Sequence, residues 1–212
     1  MNPADVYLKS ARLSPDETCR FTLKREWLSA ANLRVRGSCL WVGHNPSTAD
    51  AEINDPTVRR MMDFSDRWGH GRMALANLLP VRTSSPYLAH KWFFEPWSKD
   101  DWDVSTHGRA WAICENAKSI IDLSLDADRV VLCWGAIAGP ISNLARDVRQ
   151  FFRDRGIPVY VLGLTQDGSP MHPLSRGRNR VPDDVTLTEW CLETSDNQIP
   201  PRQDHAEPIR QA

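Results

Sequence analysis

Four short apolar runs mark the centre of the chain, and turn-forming residues bound each of them. They predict buried strands at Ser38–Gly43, Met73–Leu78, Arg129–Trp134 and Pro158–Gly163. Runs without a polar face are typical of strands in a parallel sheet that helices cover on both sides. An earlier segment, Arg20–Arg25, alternates polar and apolar residues, which predicts an edge strand or hairpin within residues 1–30.

Helical patterns alternate with these runs. Asp55 and Pro56 offer an N-cap and a first-turn proline, and apolar residues then recur at helical spacing up to Gly69. Further apolar stripes predict one helix through Val104, Trp111, Cys114 and Ile121, and another after Gly139-Pro140. This alternation predicts the α/β class: a three-layer α/β/α sandwich around a central four-stranded, mainly parallel sheet.

Length and composition fit one domain. The 212 residues, 41% of them hydrophobic, suffice for one core, which we place at residues 1–192, with a polar, disordered tail over residues 193–212. The five scattered cysteines contain no Cys-x-x-Cys pair, and no secretion leader or membrane-length apolar run is present. We therefore expect a monomeric cytoplasmic protein with no membrane partner, no cofactor and no metal. The net charge of −1 does not by itself indicate a nucleic-acid partner.

Polar residues cluster where the four predicted strands end. In parallel α/β sheets, ligands bind at that edge. The clusters are Gly43-His44-Asn45-Pro46-Ser47, Asn77, Trp134-Gly135, and the segment from Gly163 to His172. Their convergence on one rim indicates a binding site more strongly than any single member does.

Each cluster also has a structural interpretation. Asn45 could form a turn, His172 could be a loop histidine, and Trp134-Gly135 could serve packing. A buried Asn77 must either tie down a loop or read the edge of a ligand, since both ends of its amide need partners. Asp50 and Asp55 fit turn and cap roles better than metal ligation. No P-loop, nucleophile elbow, zinc-ligand pair or dinucleotide fingerprint is present, which disfavours phosphoryl and hydride transfer.

The clusters, in this order, resemble the motifs of the uracil-DNA glycosylase superfamily. The similar segments are Gly43-His44-Asn45-Pro46, Ala76-Asn77-Leu78, Leu132-Cys133-Trp134-Gly135-Ala136 and His172-Pro173-Leu174-Ser175. More closely, the chain resembles a bacterial and phage family of uncharacterised function. The hallmarks of that family stand here as Asn45-Pro46-Ser47-Thr48-Ala49-Asp50, Asp55-Pro56-Thr57, Arg59-Arg60, and the segment from Gly163 to Leu174.

The superfamily resemblance implies a DNA glycosylase that hydrolyses the N-glycosidic bond of a modified or mismatched, flipped-out base. It implies that Asn77 reads the base edge, that Asn45 orients a water, and that His172 stabilises the leaving base. Gly43, His44, Pro46, Ser47, Trp134 and Gly135 would shape the base pocket, and Arg59, Arg60, Arg176 and Arg178 would contact phosphates. Asparagine stands where the most active members carry aspartate, so a general base is missing there, and Asp50 becomes the candidate to replace it. Two alternatives stay open: a non-catalytic module that binds a nucleotide or modified base, and a hydrolase of free nucleosides or nucleotides.

Overall fold

The computed structural model describes residues 6–27, 37–47, 49–103, 107–137 and 139–190. Within these residues the chain is an α/β protein with one mixed sheet of seven strands and with five α-helices. The strands are β1 Val6–Leu13, β2 Arg20–Trp27, β3 Gly37–Gly43, β4 His70–Asn77, β5 Arg129–Leu132, β6 Val159–Val161 and β7 Thr188–Glu189. The helices are α1 Pro56–Arg67, α2 Pro86–Phe94, α3 Lys99–Trp102, α4 Arg109–Leu125 and α5 Ile141–Asp154.

The sheet order is β1-β2-β4-β3-β5-β6-β7. Its central strands β4, β3, β5 and β6 are parallel and are the four that the apolar runs predicted. The predicted total of four is too low, because antiparallel strands extend the sheet on both sides. The N-terminal hairpin is confirmed as β1–β2. However, β2 is no edge strand, since it also pairs with β4.

Helices cover both faces of the sheet. The buried side chains of α1 pack with Trp41 and Met73 on one face, whereas those of α4 and α5 pack with Leu40 and Val130 on the other. The apolar stripe predicted for α4 is wrong: Cys114 is exposed, and the buried face instead carries Ala112, Asn116, Ser119, Ile120 and Leu123. Asn116 lies on this buried face because its Nδ2 donates to the carbonyls of residues 77 and 78, at 2.8 and 3.2 Å.

The predicted start of α1 is confirmed. The Asp55 carboxylate accepts a hydrogen bond from the Val58 amide at 2.8 Å, and Pro56 occupies the first turn. Gly69 follows the helix in a left-handed conformation, with φ of 84°, that suits a glycine stop. Asp55 therefore sits at a fixed point at the end of the β3–α1 connection.

Two buried arginines of β2 hold that connection against the sheet. Arg25 is fully buried and donates to the Asn54 side chain at 2.7 Å and to the Asp50 carbonyl at 2.5 Å. Arg20 donates from Nη1 to the Ala49 carbonyl at 2.7 Å. The bonds to the Ala49 and Asp50 carbonyls give hydrogen-bond partners to backbone groups of the loop, and they fix the loop against β2.

The long connection after β4 contains α2 and α3 rather than an open loop. Arg109 at the start of α4 donates to both Asp101 carboxylate oxygens at 2.7 Å and to the carbonyls of residues 92, 95 and 96. Arg109 thus ties the end of α2, the following loop and α3 to the start of α4. The predicted tail, residues 193–212, and the predicted helical residue Val104 lie outside the described residues.

Candidate functional site

A cleft of about 360 Å³ opens at the carboxyl ends of the central strands. Its position follows from the sheet register, in which Gly43 pairs with Asn77, and Leu132 pairs with both Val42 and Val161. The strand ends therefore meet at one edge, as the sequence predicts. The lining residues are Arg20, Gly43, His44, Asn45, Ser47, Asp55, Thr57, Val58, Met61, Leu75, Asn77, Thr83, Ser84, Pro86, Trp134, Ala136 and His172.

Asn77 is the last residue of β4 and is only 3% exposed. Its backbone is held by the ladder with β3, but its side-chain Nδ2 is buried and has no hydrogen-bond partner among the described residues. Opposite it, a β-carbon at Gly43 would lie 2.8 Å from Asn77 Oδ1, closer than real contacts allow. Glycine at position 43 therefore makes room for the Asn77 amide. An unsatisfied buried amide in a cleft is suited to a ligand that brings its own acceptor.

Asn45 lies in the turn after β3 with its amide nitrogen occupied. Nδ2 donates to the Thr83 carbonyl at 2.6 Å and to the Pro46 carbonyl at 3.1 Å. Its Oδ1 accepts no hydrogen bond from the described part of the chain. The backbone bonds therefore fix which end of the amide can serve as an acceptor for water or ligand.

His172 reaches the cleft on a loop that is fixed by backbone hydrogen bonds. Gly135 donates to the Pro170 carbonyl and Met171 donates to the Gly163 carbonyl, both at 2.9 Å. The His172 Nδ1 accepts from the Leu174 amide at 3.1 Å, so the proton of the neutral ring sits on Nε2. Burial lowers the pKa of His172, and the charge of Asp55 partly opposes that decrease. His172 is thus a neutral ring with a single donor, Nε2–H.

His44 is the second imidazole of the cleft. Burial lowers its pKa to about 4, and the neighbouring rings of His90 and His172 add to the effect. Its Nε2 is buried without a partner in the described residues, and the His90 ring centroid lies 5.6 Å away. His44 is therefore neutral at physiological pH and adds no positive charge to the cleft.

The remaining pocket-shaping residues divide into two groups. Trp134 and Ser47 line the cleft, and Trp134 is also part of the core. Pro46 and Gly135 do not line the cleft but shape the turns that carry its lining. The Pro46 carbonyl accepts from the Thr83 amide at 2.8 Å, and Gly135 takes a positive φ of 77°. A side chain at position 135 would be strained in that conformation.

Asp50, the acid predicted for catalysis, does not line the cleft. Its Oδ1 accepts from the amides of Glu52 and Ile53 at 2.8 and 2.9 Å, which makes it a turn residue. Those hydrogen bonds lower the pKa of Asp50. The Asp50 carbonyl accepts a hydrogen bond from Arg25 of β2, and this bond holds the turn beside β2.

The four arginines predicted to contact phosphates also lie outside the cleft lining. Arg60 bonds to the Asp183 carboxylate and, at 3.0 Å, to the Val181 carbonyl, so it fastens the C-terminal segment to α1. Arg178 donates to Gln166 at 2.9 Å. Arg59 and Arg176 are exposed.

Sequence reasoning missed two charged residues of the cleft, Arg20 and Asp55. Arg20 is 1% exposed, and burial lowers its pKa to about 10 against the opposing charge of Asp55. Asp55 is 9% exposed, and its second oxygen, Oδ2, accepts a hydrogen bond from the Ser47 hydroxyl. The alternating polar and apolar pattern of β2 predicts that Arg20 faces solvent, whereas its side chain is buried. The signal for Asp55 was its position as N-cap at the sheet edge.

A second cavity, of about 750 Å³, adjoins the cleft through Ser47 and Thr83. It lies between the β1–β2 turn and the start of α4, and its lining includes Arg82 and Trp92. Of the predicted site residues, Ser47 lines both spaces, whereas Gly43, His44, Asn45, Asn77, Trp134 and His172 line the smaller cleft and not this cavity.

The described residues contain no group of three or more His, Cys, Asp or Glu side chains placed to hold a metal ion. In the same part of the chain, no helix combines the length and the apolar character needed to cross a membrane.

Comparison with known proteins places the chain in a family. No curated protein and no solved structure matches it. The family model described as "Protein of unknown function (DUF1643)" matches residues 20–174. Every residue that lines the cleft, from Arg20 to His172, falls within that range. The chain belongs to the DUF1643 family.

Proposed function

We propose that the cleft binds a nucleobase and that the protein is a DNA glycosylase, hydrolysing the N-glycosidic bond of a modified or mismatched base. The observation that carries this proposal is the Asn77 amide, which lines the cleft with an unpartnered Nδ2. A base edge presents a hydrogen-bond donor next to an acceptor, and an amide matches that pair. The volume of about 360 Å³ lies in the range of small-ligand pockets, roughly 300–1,000 Å³.

The other polar groups of the cleft have matching roles. When the bond from the sugar C1′ to the base nitrogen breaks, the electron pair leaves with the base. The Nε2–H of His172 donates to that developing negative charge. The bond from the Leu174 amide to Nδ1 keeps the proton of the neutral ring on Nε2. Asn45 Oδ1 accepts from a water and orients it toward C1′, while Nδ2 stays bound to Thr83.

The proposal includes a relationship to the uracil-DNA glycosylase superfamily and its three-layer fold. What supports it is that all four similar motifs surround one cleft, and that helices lie on both faces of the parallel strands. Asn45 differs from the aspartate of the most active members of that superfamily, and Ser47-Thr48-Ala49-Asp50 replaces the aromatic residue or glycine that shapes their base pocket. We therefore expect a preference for bases other than plain uracil, such as the modified or bulky bases of phage DNA.

One observation favours a second candidate, hydrolysis of free nucleosides or nucleotides. None of the four arginines predicted to contact phosphates lines the cleft, and Arg60 and Arg178 are engaged with protein groups. With a net charge of −1, the chain has no overall attraction for DNA.

The experiment incubates the protein with oligonucleotides that carry uracil, mismatched thymine or hypermodified pyrimidines, and with the corresponding free nucleosides. Abasic sites and released bases are scored against an Asn45→Ala, His172→Ala double variant, with Asp50→Asn as a matched variant outside the cleft. We expect base release from at least one oligonucleotide by wild type and by Asp50→Asn only. Release from free nucleosides alone supports the second candidate. Binding that leaves the DNA intact supports a non-catalytic module, and equal release by the double variant refutes this site.

A further inference from the structure

Arg20 and Asp55 are the two side chains with a formal charge among the described residues that line the cleft. Removing charges from water is costly unless they find partners. Arg20 uses one Nη1 bond, to the Ala49 carbonyl, and its Nε has no partner in the described part of the chain. The roles assigned to Asn45, Asn77 and His172 do not require either charge.

Helix capping explains part of the position of Asp55 but not its charge. One oxygen accepts from the Val58 amide at 2.8 Å, and the other accepts from Ser47. Asparagine or serine caps a helix about as well as aspartate, because the cap needs only a side-chain oxygen. The carboxylate therefore adds a negative charge that the cap itself does not require, in a cleft that also contains the Arg20 guanidinium.

We propose that Asp55 is the catalytic acid–base group of this cleft, in the place that Asn45 cannot fill and that Asp50 does not reach. This inference rests on the proposed glycosidic hydrolysis. As the bond from C1′ to the base breaks, positive charge develops on the sugar, and the Asp55 carboxylate stabilises it. The water held by Asn45 forms the new bond to C1′ and gives one proton to Asp55. That proton then passes to the departed base, so the products are a neutral base and an abasic sugar.

Ser47 and Arg20 act as positioning residues. The Ser47 hydroxyl donates to Oδ2, and the α1 amide of Val58 donates to Oδ1, so both carboxylate oxygens have a defined direction. Arg20 donates to the Ala49 carbonyl, which anchors the segment that leads from Ala49 to Asp55. Electrostatic preorganisation of this kind requires no rearrangement at the moment of bond breaking.

The test compares Asp55→Asn with Asp50→Asn. Asparagine preserves the N-cap oxygen and the side-chain size at position 55; it removes the charge and replaces the oxygen that faces the Ser47 hydroxyl by an amide nitrogen. Asp50→Asn removes a carboxylate from the same loop but outside the cleft. Two oligonucleotide probes report on the charge without any turnover: one carries a cationic pyrrolidine at the sugar position, and the other a neutral tetrahydrofuran of the same shape.

We expect wild type to bind the cationic probe at least about tenfold more tightly than the neutral one. Asp55→Asn should lose that preference while keeping its affinity for the neutral probe, and Asp50→Asn should keep the preference. On a cleaved substrate, Asp55→Asn should lower kcat by roughly a hundredfold or more and change KM little.

Three results would overturn the assignment: equal affinity of wild type for both probes, a preference that persists in Asp55→Asn, or its equal loss in Asp50→Asn. Urea midpoints of both variants serve as the check on folding. If no substrate is cleaved while the Asp55-dependent preference is present, the proposed reaction fails and the charge assignment stands. If bases are released without that preference, the reaction stands and the role of Asp55 is refuted.

Discussion

Replacing Asn77 by leucine should leave the free energy of unfolding unchanged or raise it, while binding and activity are lost. Asn77 is 3% exposed, and its Nδ2 has no partner among the described residues. Leucine has a similar size and shape and removes the unsatisfied group. Asn116 provides a matched control, because it is equally buried at 3% but donates from Nδ2 to two carbonyls.

The expected magnitudes follow from these contacts. A buried polar group without a partner costs about 1–3 kcal/mol, so Asn77→Leu should change the free energy of unfolding by about 0 to +2 kcal/mol. Asn116→Leu leaves two carbonyls without their side-chain donor and should cost about 1–3 kcal/mol. With a urea dependence of about 2 kcal/mol per molar, the two midpoints should differ by roughly 0.5–2.5 M.

The assay is equilibrium urea unfolding of wild type and both variants, followed by binding to the oligonucleotide that wild type processes. Equal destabilisation by Asn77→Leu and Asn116→Leu would mean that Asn77 is a structural amide, and the base-reading role would be refuted. Unchanged substrate binding by a stable Asn77→Leu variant would refute it as well.

Three further predictions address the surroundings of the cleft. Gly43→Ala should displace the Asn77 amide, because the new β-carbon would lie 2.8 Å from its Oδ1; we expect a stability loss of about 1 kcal/mol in urea unfolding and roughly tenfold weaker substrate binding. His44, with its pKa lowered from 6.5 to about 4, binds a proton more tightly after unfolding, so stability should fall as the pH decreases from about 6.5 to about 4. The loss should be on the order of 2 kcal/mol, and His44→Gln should show less of it in urea unfolding at pH 7 and pH 4.5. Arg109→Met should speed backbone hydrogen exchange across residues 86–103 and leave β3 unchanged, because Arg109 bonds to Asp101 and to three carbonyls of residues 92–96.

The centre of the fold could be predicted because its signals are local. Each of the four parallel strands contains a short run of mainly apolar residues. Helix α1 begins at a side chain that caps it and at a proline that fits only the first turn. The edges carry weaker signals. The two residues of β7 are exposed, and the alternating pattern of β2 could not show that it pairs with β4.

Hydrophobic periodicity could not predict which polar residues are buried. The buried face of α4 includes Asn116 and Ser119, which a hydrophobic pattern assigns to solvent. Arg20 and Arg25 in β2 were hidden in the same way, although their guanidinium groups hold the loop that carries the site. Asn116, Arg20 and Arg25 donate to backbone carbonyls from distant parts of the chain, and those partners are visible only after folding.

The candidate site could be predicted as a place more readily than as a set of roles. Parallel strands bring their carboxyl ends together, so the clusters at Asn45, Asn77 and His172 had to meet once the strand order was right. The direction of a short polar side chain depends on single hydrogen bonds. Asp50 and Asp55 stand five residues apart in one loop, yet one closes a turn and the other lines the cleft.

Three buried nitrogens without partners among the described residues line this one cleft: Asn77 Nδ2, His44 Nε2 and Arg20 Nε. Each costs the folded state about 1–3 kcal/mol, a substantial share of the 5–15 kcal/mol by which proteins are typically stable. A ligand that forms hydrogen bonds with these nitrogens recovers that cost on binding, whereas the helix caps and loop bonds around the cleft gain nothing from it. The same groups therefore weaken the free protein and favour the complex, which is why removing the Asn77 amide should separate stability from binding.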